Sequence, residues 1–219
     1  MFKEIIDTQK RTSLLYDALQ EGLKMMEEGE RMFAASCASL VSGEPPQLDI
    51  ARSDRDINAG ERLVRRMIFQ HLTLNPKQDL PASLALITVI YDMERIGDYA
   101  KSLLELRAAG MVLGEEGAAD TEGFCALRDM IQPLFAKTCT AFVESDAALA
   151  REVMAIHEQV KTRVDELTAS ASEAIQAGAM TPLFPLAARF LRRVSAHLSN
   201  VASSVVNPLD QIAGKAAHE

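Results

Sequence analysis

Glu94 and Asp98 stand four residues apart in a stretch whose apolar letters, Leu86, Ile90, Met93, Gly97, Ala100 and Leu104, recur at spacings of four and three. That period predicts a helix over about Leu84 to Leu106 with these six residues in one seam. Glu94 and Asp98 then project side by side one step round from the seam, roughly 5 to 6 Å between Cβ atoms, where both carboxylates can reach one cation. Two anions at the edge of a packed seam are only partly wetted and require a countercharge. Arg95 and other cations are one source of it, and a metal ion is another. A second row, Asp54, Asn58 and Glu61, has the same relation to an apolar seam of Ile57, Gly60, Val64, Met67 and His71. Two neighbouring helices can thus aim oxygen donors at one point, with Gly60 and Gly97 letting their backbones approach. No Cys pair or correctly spaced His offers softer ligation, so the cation implied is a hard divalent or ferric one such as iron, zinc or magnesium.

The elements that must hold these rows are long. From about Thr8 to Leu40 the letters Leu15, Leu19, Gly22, Met26, Gly29, Phe33, Ser36 and Leu40 keep the helical alternation, and Gly43-Glu44-Pro45-Pro46 ends it. The acidic Asp54 row belongs to a helix from about Leu48 to Leu74, closed by Asn75-Pro76. After the Glu94 helix, four glycines interleaved with Glu115, Glu116, Asp120 and Glu122 mark a flexible connector over 111–123. Three more helical runs follow, at about Phe124 to Leu149, Ala150 to Gln176, and from after Pro182 to Val206. The expectation is therefore an all-α chain built as a tandem repeat of two antiparallel three-helix bundles, residues 1–110 and 124–219, elongated and curved.

Composition agrees with that class. Hydrophobic residues make up 48% of the 219, but aromatics only 5% and Trp none, so the core must come from Leu, Ile, Val, Met and Ala. A formal charge of −8 argues against binding nucleic acid, whose phosphates need clustered Lys and Arg. Cys37, Cys125 and Cys139 form no CxxC pair, and the last two, if on one helix, lie about 21 Å apart. No apolar run reaches the roughly 20 residues of a membrane span, and the start shows no signal sequence, so a cytoplasmic protein is expected.

The run Met93-Glu94-Arg95-Ile96-Gly97-Asp98-Tyr99-Ala100 resembles the signature of the PhoU family, bacterial regulators of phosphate uptake whose fold is two copies of a three-helix bundle. The resemblance implies that the acidic positions, Glu94 and Asp98 with Asp54 and Glu61 from the second helix, hold metal on a concave surface. Asn58 stands where the family more usually has a carboxylate. It further implies a regulator without turnover that contacts a phosphate ABC transporter ATPase and a sensor histidine kinase, with a homodimer left open.

The second half departs from this pattern. Aligning Arg193-Val194 with Arg95-Ile96 sets Arg192 opposite Glu94, Ser195 opposite Gly97, Ala196 opposite Asp98 and His197 opposite Tyr99. In the helix before it, His157 and Lys161 occupy positions where the family usually shows Asp. Ammonium and guanidinium carry donors and no lone pair, so they cannot join an inner shell of oxygen ligands. A metal site is therefore expected in the first half only. In the second half, Lys161, Arg192 and Arg193 either pair with local acids such as Glu158 or Asp165 or form a patch for an acidic partner or phosphate-like anion. His157 with His197 as a replacement metal pair is a third reading. Two rival functions stand beside the regulator: an accessory protein of another phosphate carrier, and a carboxylate-bridged metalloenzyme, which would usually need Glu-x-x-His on facing helices.

Overall fold

The computed structural model describes residues 13–113, 118–169, 171–178 and 180–207, and these form an all-α fold of seven helices. They are α1 (Leu14–Ser42), α2 (Ile50–Leu74), α3 (Leu80–Ala108), α4 (Ala119–Glu144), α5 (Ala147–Ala169), α6 (Ala171–Gln176) and α7 (Phe184–Ser203). Residues 8–12, read from the sequence as the start of the first helix, lie outside the described residues.

Local chemistry sets the boundaries. Ser13 caps α1 by accepting from the Tyr16 amide at 3.1 Å, and Gly43 ends it in the left-handed region at φ 72°, its amide donating to the Ser39 carbonyl. Asp49 caps α2 through the Arg52 amide at 3.0 Å. Pro81 occupies the first turn of α3, where its missing amide hydrogen is not needed. Helix α4 begins at Ala119, so Asp120, Glu122 and Gly123 belong to it and not to the connector that the sequence suggested. Acidic residues gain from a helix N-terminus, and Asp120 and Glu122 lie in that first turn. Leu167 and Phe184 pack closely on Gly123, where an added Cβ would fall 3.1 Å from one and 3.2 Å from the other. The run expected as one helix from Ala150 to Gln176 is helical over Ala147–Ala169 and Ala171–Gln176.

Helix α1 packs on α2 and α3, α4 on α5 and α7, and α5 on α7, which gives the two three-helix groupings. The groupings share a core. Helices α3 and α7 lie against each other, and α1 meets α4, where the Phe33 and Phe135 rings are 5.5 Å apart. Helix α3 is accordingly buried on two sides. The seam Leu86, Ile90, Met93, Gly97, Ala100 faces its own bundle, and Ala85, Val89, Asp92, Ile96 and Leu103 are buried as well.

Close approach of α2 to α3 depends on glycine. A Cβ added at Gly97 would fall 2.8 Å from the Ile57 Cδ1, inside any real carbon contact. At Gly60 an added Cβ would meet the Met25 Cγ at 2.9 Å, which brings α2 equally close to α1. With Ile57 at Gly97 and Asp54 at Lys101, α2 runs antiparallel to α3, and this register carries the acidic rows past one another.

Candidate metal centre

Asp54, Asn58 and Glu61 occupy one side of α2, and Glu94 and Asp98 the facing side of α3; all five are half-buried. Their side chains are held by cations from the same two helices. Lys101 reaches across from α3 to Asp54 Oδ2 at 3.1 Å, Arg95 donates to Asp98 Oδ2 at 2.6 Å, and Arg65 donates to Glu61 Oε1 at 2.8 Å. Asn58 turns back to its own helix, its amide donating to the Asp54 carbonyl at 2.8 Å. Glu94 makes no hydrogen bond or ion pair with another described residue. Its pKa is pushed up to about 7 by burial first, then by the negative charge of Asp98, with Glu61 and Asp54 adding to it and Arg95 opposing.

Glu94 thus experiences the charge of all three other carboxylates, and the four acids form one electrostatic unit on two helices. The structure does not draw them into a closed cage. Among the described residues no three Asp, Glu, His or Cys side chains are gathered closely enough to hold a metal ion together. The three ion pairs account for the spread, since each cation pulls its carboxylate toward its own side chain. The donors suit a hard cation in kind, all being oxygen, and ligation by them requires exchange of Lys101, Arg95 and Arg65 for the metal. The Lys101 pKa is raised by its hydrogen bond to Asp54 and by that carboxylate's charge, so the ammonium holds its proton firmly while the pair exists.

Arg95 also lies over aromatic rings, 5.1 Å from the Tyr99 centroid and 5.9 Å from that of Tyr91. Tyr99 in turn stacks on His197 of α7 at 5.5 Å, so the acidic face connects to the second half through Arg95 and Tyr99.

The second-half positions are arranged otherwise. Arg192 pairs with Asp165 at 3.1 Å across α5 and α7. His157 Nδ1 lies 2.9 Å from Ser195 Oγ, and the Ser195 hydroxyl donates to the Arg192 carbonyl at 2.8 Å. That direction makes Nδ1–H the donor to Oγ. His197 Nδ1 donates to Asp92 Oδ1 at 2.7 Å, on the other side of α7. The two imidazoles therefore have separate partners and form no metal pair. Lys161 and Arg193 are half-buried on α5 and α7, each with an interaction of its own.

Sequence reasoning missed Asp92. It is only 2% exposed, and Asp92 Oδ1 also accepts from Asn200 Nδ2 at 2.8 Å, so one carboxylate ties α3 to two residues of α7. Its signal lay in the spacing: Val89, Asp92 and Ile96 are three and four apart, which puts an acid in the middle of a second apolar stripe.

Residues 22–106, the span from α1 through α3 that holds the acidic rows, match the model of the PhoU domain. This part of the chain is similar to the PhoU domain. The fold is similar over nearly its whole length to the crystal structure of PhoU from Pseudomonas aeruginosa, with a TM-score of 0.72 at 21% identity, covering 90% of this chain and 97% of that one. No curated protein matches the chain. The PhoU-domain match supports a regulatory role in phosphate transport in general terms. Among the described residues no helix is long and apolar enough to cross a membrane.

Proposed function

We propose that this chain is a PhoU-like, non-enzymatic adaptor between a phosphate ABC transporter ATPase and a sensor histidine kinase, and that its α2–α3 face takes a divalent or ferric cation. The observation that carries the metal reading is the placement of Asp54 and Glu61 on α2 opposite Glu94 and Asp98 on α3, where Glu94 is the one of the four whose side chain makes no ion pair with a described residue. A bound metal ion would supply positive charge to these four carboxylates. Asp54 and Glu61 would hold it from α2, and Glu94 and Asp98 from α3. Asn58 makes a poorer donor here because its amide is turned to the Asp54 carbonyl. The adaptor reading rests on the PhoU-domain match together with a donor set lacking a placed nucleophile or Glu-x-x-His pair.

Elemental analysis of the purified chain beside an Asp98→Ala variant tests the metal, with stoichiometric metal expected in the first and little in the second. Chelation of the loaded protein should lower Tm, since a ligand at about 100 times its Kd contributes about 2.7 kcal/mol. No Tm change on chelation of a metal-loaded sample overturns the metal reading. Binding to purified transporter ATPase and kinase, measured separately, tests the adaptor, and failure to bind either overturns it.

A further inference from the structure

The α2–α3 turn forms a tip unlike the rest of the surface. Phe69 and Leu74 are each 72% exposed and Leu80 is 40% exposed, and Phe69 is the most exposed aromatic side chain among the described residues. On α2, Arg62, Arg66 and Phe69 stand at i, i+4 and i+7, so they share one outward stripe with Arg65. Lys77 adds a further exposed cation in the turn. Arg65 is paired with Glu61, and from Arg62 to Leu80 the other cations Arg62, Arg66 and Lys77 stand with a single acid, Asp79, which is mostly buried and 3.8 Å from His71. This basic, apolar tip belongs to a protein whose net charge is −8.

We infer that the tip docks on the interfacial zone of an anionic lipid bilayer, with Phe69, Leu74 and Leu80 entering the headgroup layer and Arg62, Arg66 and Lys77 on the lipid phosphates. Charge complementarity carries the choice of occupant. Anionic lipid attracts this patch and repels the acidic remainder, so one orientation is selected, tip first. Long cationic side chains reach polar headgroups while their stems lie along apolar surface, and an aromatic ring is well placed at that depth. Because no described helix can span the bilayer, the association is peripheral and reversible.

Vesicle co-sedimentation of the full chain tests this, with phosphatidylcholine alone against phosphatidylcholine mixed with phosphatidylglycerol. Binding is expected only with the anionic lipid and should weaken as salt rises. The double variant Arg62→Gln/Arg66→Gln should bind about 25-fold more weakly, at about fivefold per cation. Phe69→Ser/Leu74→Ser should weaken binding about tenfold or more while the salt dependence persists. All four side chains are exposed, so circular dichroism and Tm should stay at wild-type values. Absence of binding to the anionic vesicles, or wild-type binding by either variant, overturns the proposal. So does lipid-free self-association that Phe69→Ser/Leu74→Ser abolishes, which would make the tip a contact between copies.

Discussion

Where α2 crosses α3, Gly97 admits the Ile57 side chain; where α5 crosses α7, Ser195 stands at the matching place and receives a hydrogen bond from His157 at 2.9 Å. The same geometric problem is met by removing a side chain in one half and by pairing polar groups in the other. The flanking charges follow suit. The first crossing carries four carboxylates against Lys101, Arg95 and Arg65, with Glu94 left over. The second has Arg192 on Asp165 and imidazole on hydroxyl. Surplus negative charge at the first crossing is what the proposed cation would neutralise, and the second crossing has local pairs in its place. One fold thus supports a candidate site in one repeat and structural contacts at the corresponding positions of the other.

The two halves are not independent, and the largest expected effect tests how they are joined. Asp92→Ala would leave His197 and Asn200 facing a buried space without their shared acceptor. Loss of one partner from a buried charged network costs about 3 kcal/mol or more. Denaturant unfolding should show that loss, and it should register in probes placed in either half. A loss confined to the first half would mean that α3 and α7 are not thermodynamically coupled.

Next in size is the crossing itself. Gly97→Val places branched carbon where the Ile57 tip already stands 2.8 Å from an added Cβ, and overpacking of this kind costs about 2 kcal/mol. Ser195→Ala removes the hydrogen bond across the crossing and the one to the Arg192 carbonyl of its own helix, and Ala fits the same space, so about 1 kcal/mol is expected. Thermal unfolding of the two variants compares a steric closure with a polar one. Equal losses would erase the distinction between the crossings.

These comparisons also indicate what a sequence can reveal. The helices were legible because apolar letters spaced by threes and fours record burial directly, and the glycines on the α2 and α3 seams mark close approach. The acids Asp54, Glu61, Glu94 and Asp98 were legible as two rows on facing helices. Arg95 was legible as a countercharge, three positions from Asp98, but Lys101 was not. Lys101 lies 47 positions from Asp54, and only the antiparallel register of α2 and α3 brings them together. Asp92 was hidden for a related reason. A single acid on a helix reads as solvated until a second buried stripe is recognised, and its partner His197 is 105 residues away. The start of α4 at Ala119 was obscured by Gly123, which breaks a helical pattern in sequence but is required by Leu167 and Phe184 in space.

Glu94 offers a smaller and pH-dependent test. Its pKa rises from an ordinary 4.5 to about 7 on folding, so between those values the folded chain keeps a proton that the unfolded chain releases. Stability from this group is complete below pH 4.5 and is lost as pH rises through about 7. Glu94→Gln removes that loss. After allowance for solvent screening at a half-exposed position, the metal-free variant should be more stable than wild type by about 1 kcal/mol at about pH 8. The gain should vanish in acid. A gain of equal size at both ends of the range would show that charge repulsion is not its origin.

The finest comparison sets one ion pair of each half against the other. Asp54–Lys101 spans α2 and α3 with the Asp54 side chain only 13% exposed, whereas Arg192–Asp165 spans α5 and α7 with Asp165 at 62%. Double-mutant cycles to alanine isolate the coupling in each pair. For the second-half pair water screens the attraction, and coupling of about 0.3 kcal/mol is expected. The first-half pair is better shielded and should approach about 1 kcal/mol in chelated protein. On metal addition the Asp54–Lys101 coupling should fall toward zero, because a carboxylate committed to a cation no longer depends on its lysine. The Arg192–Asp165 coupling should not respond. Coupling at Asp54–Lys101 that stays constant with metal present would separate that pair from the proposed site and reduce the donor set to Glu61, Glu94 and Asp98.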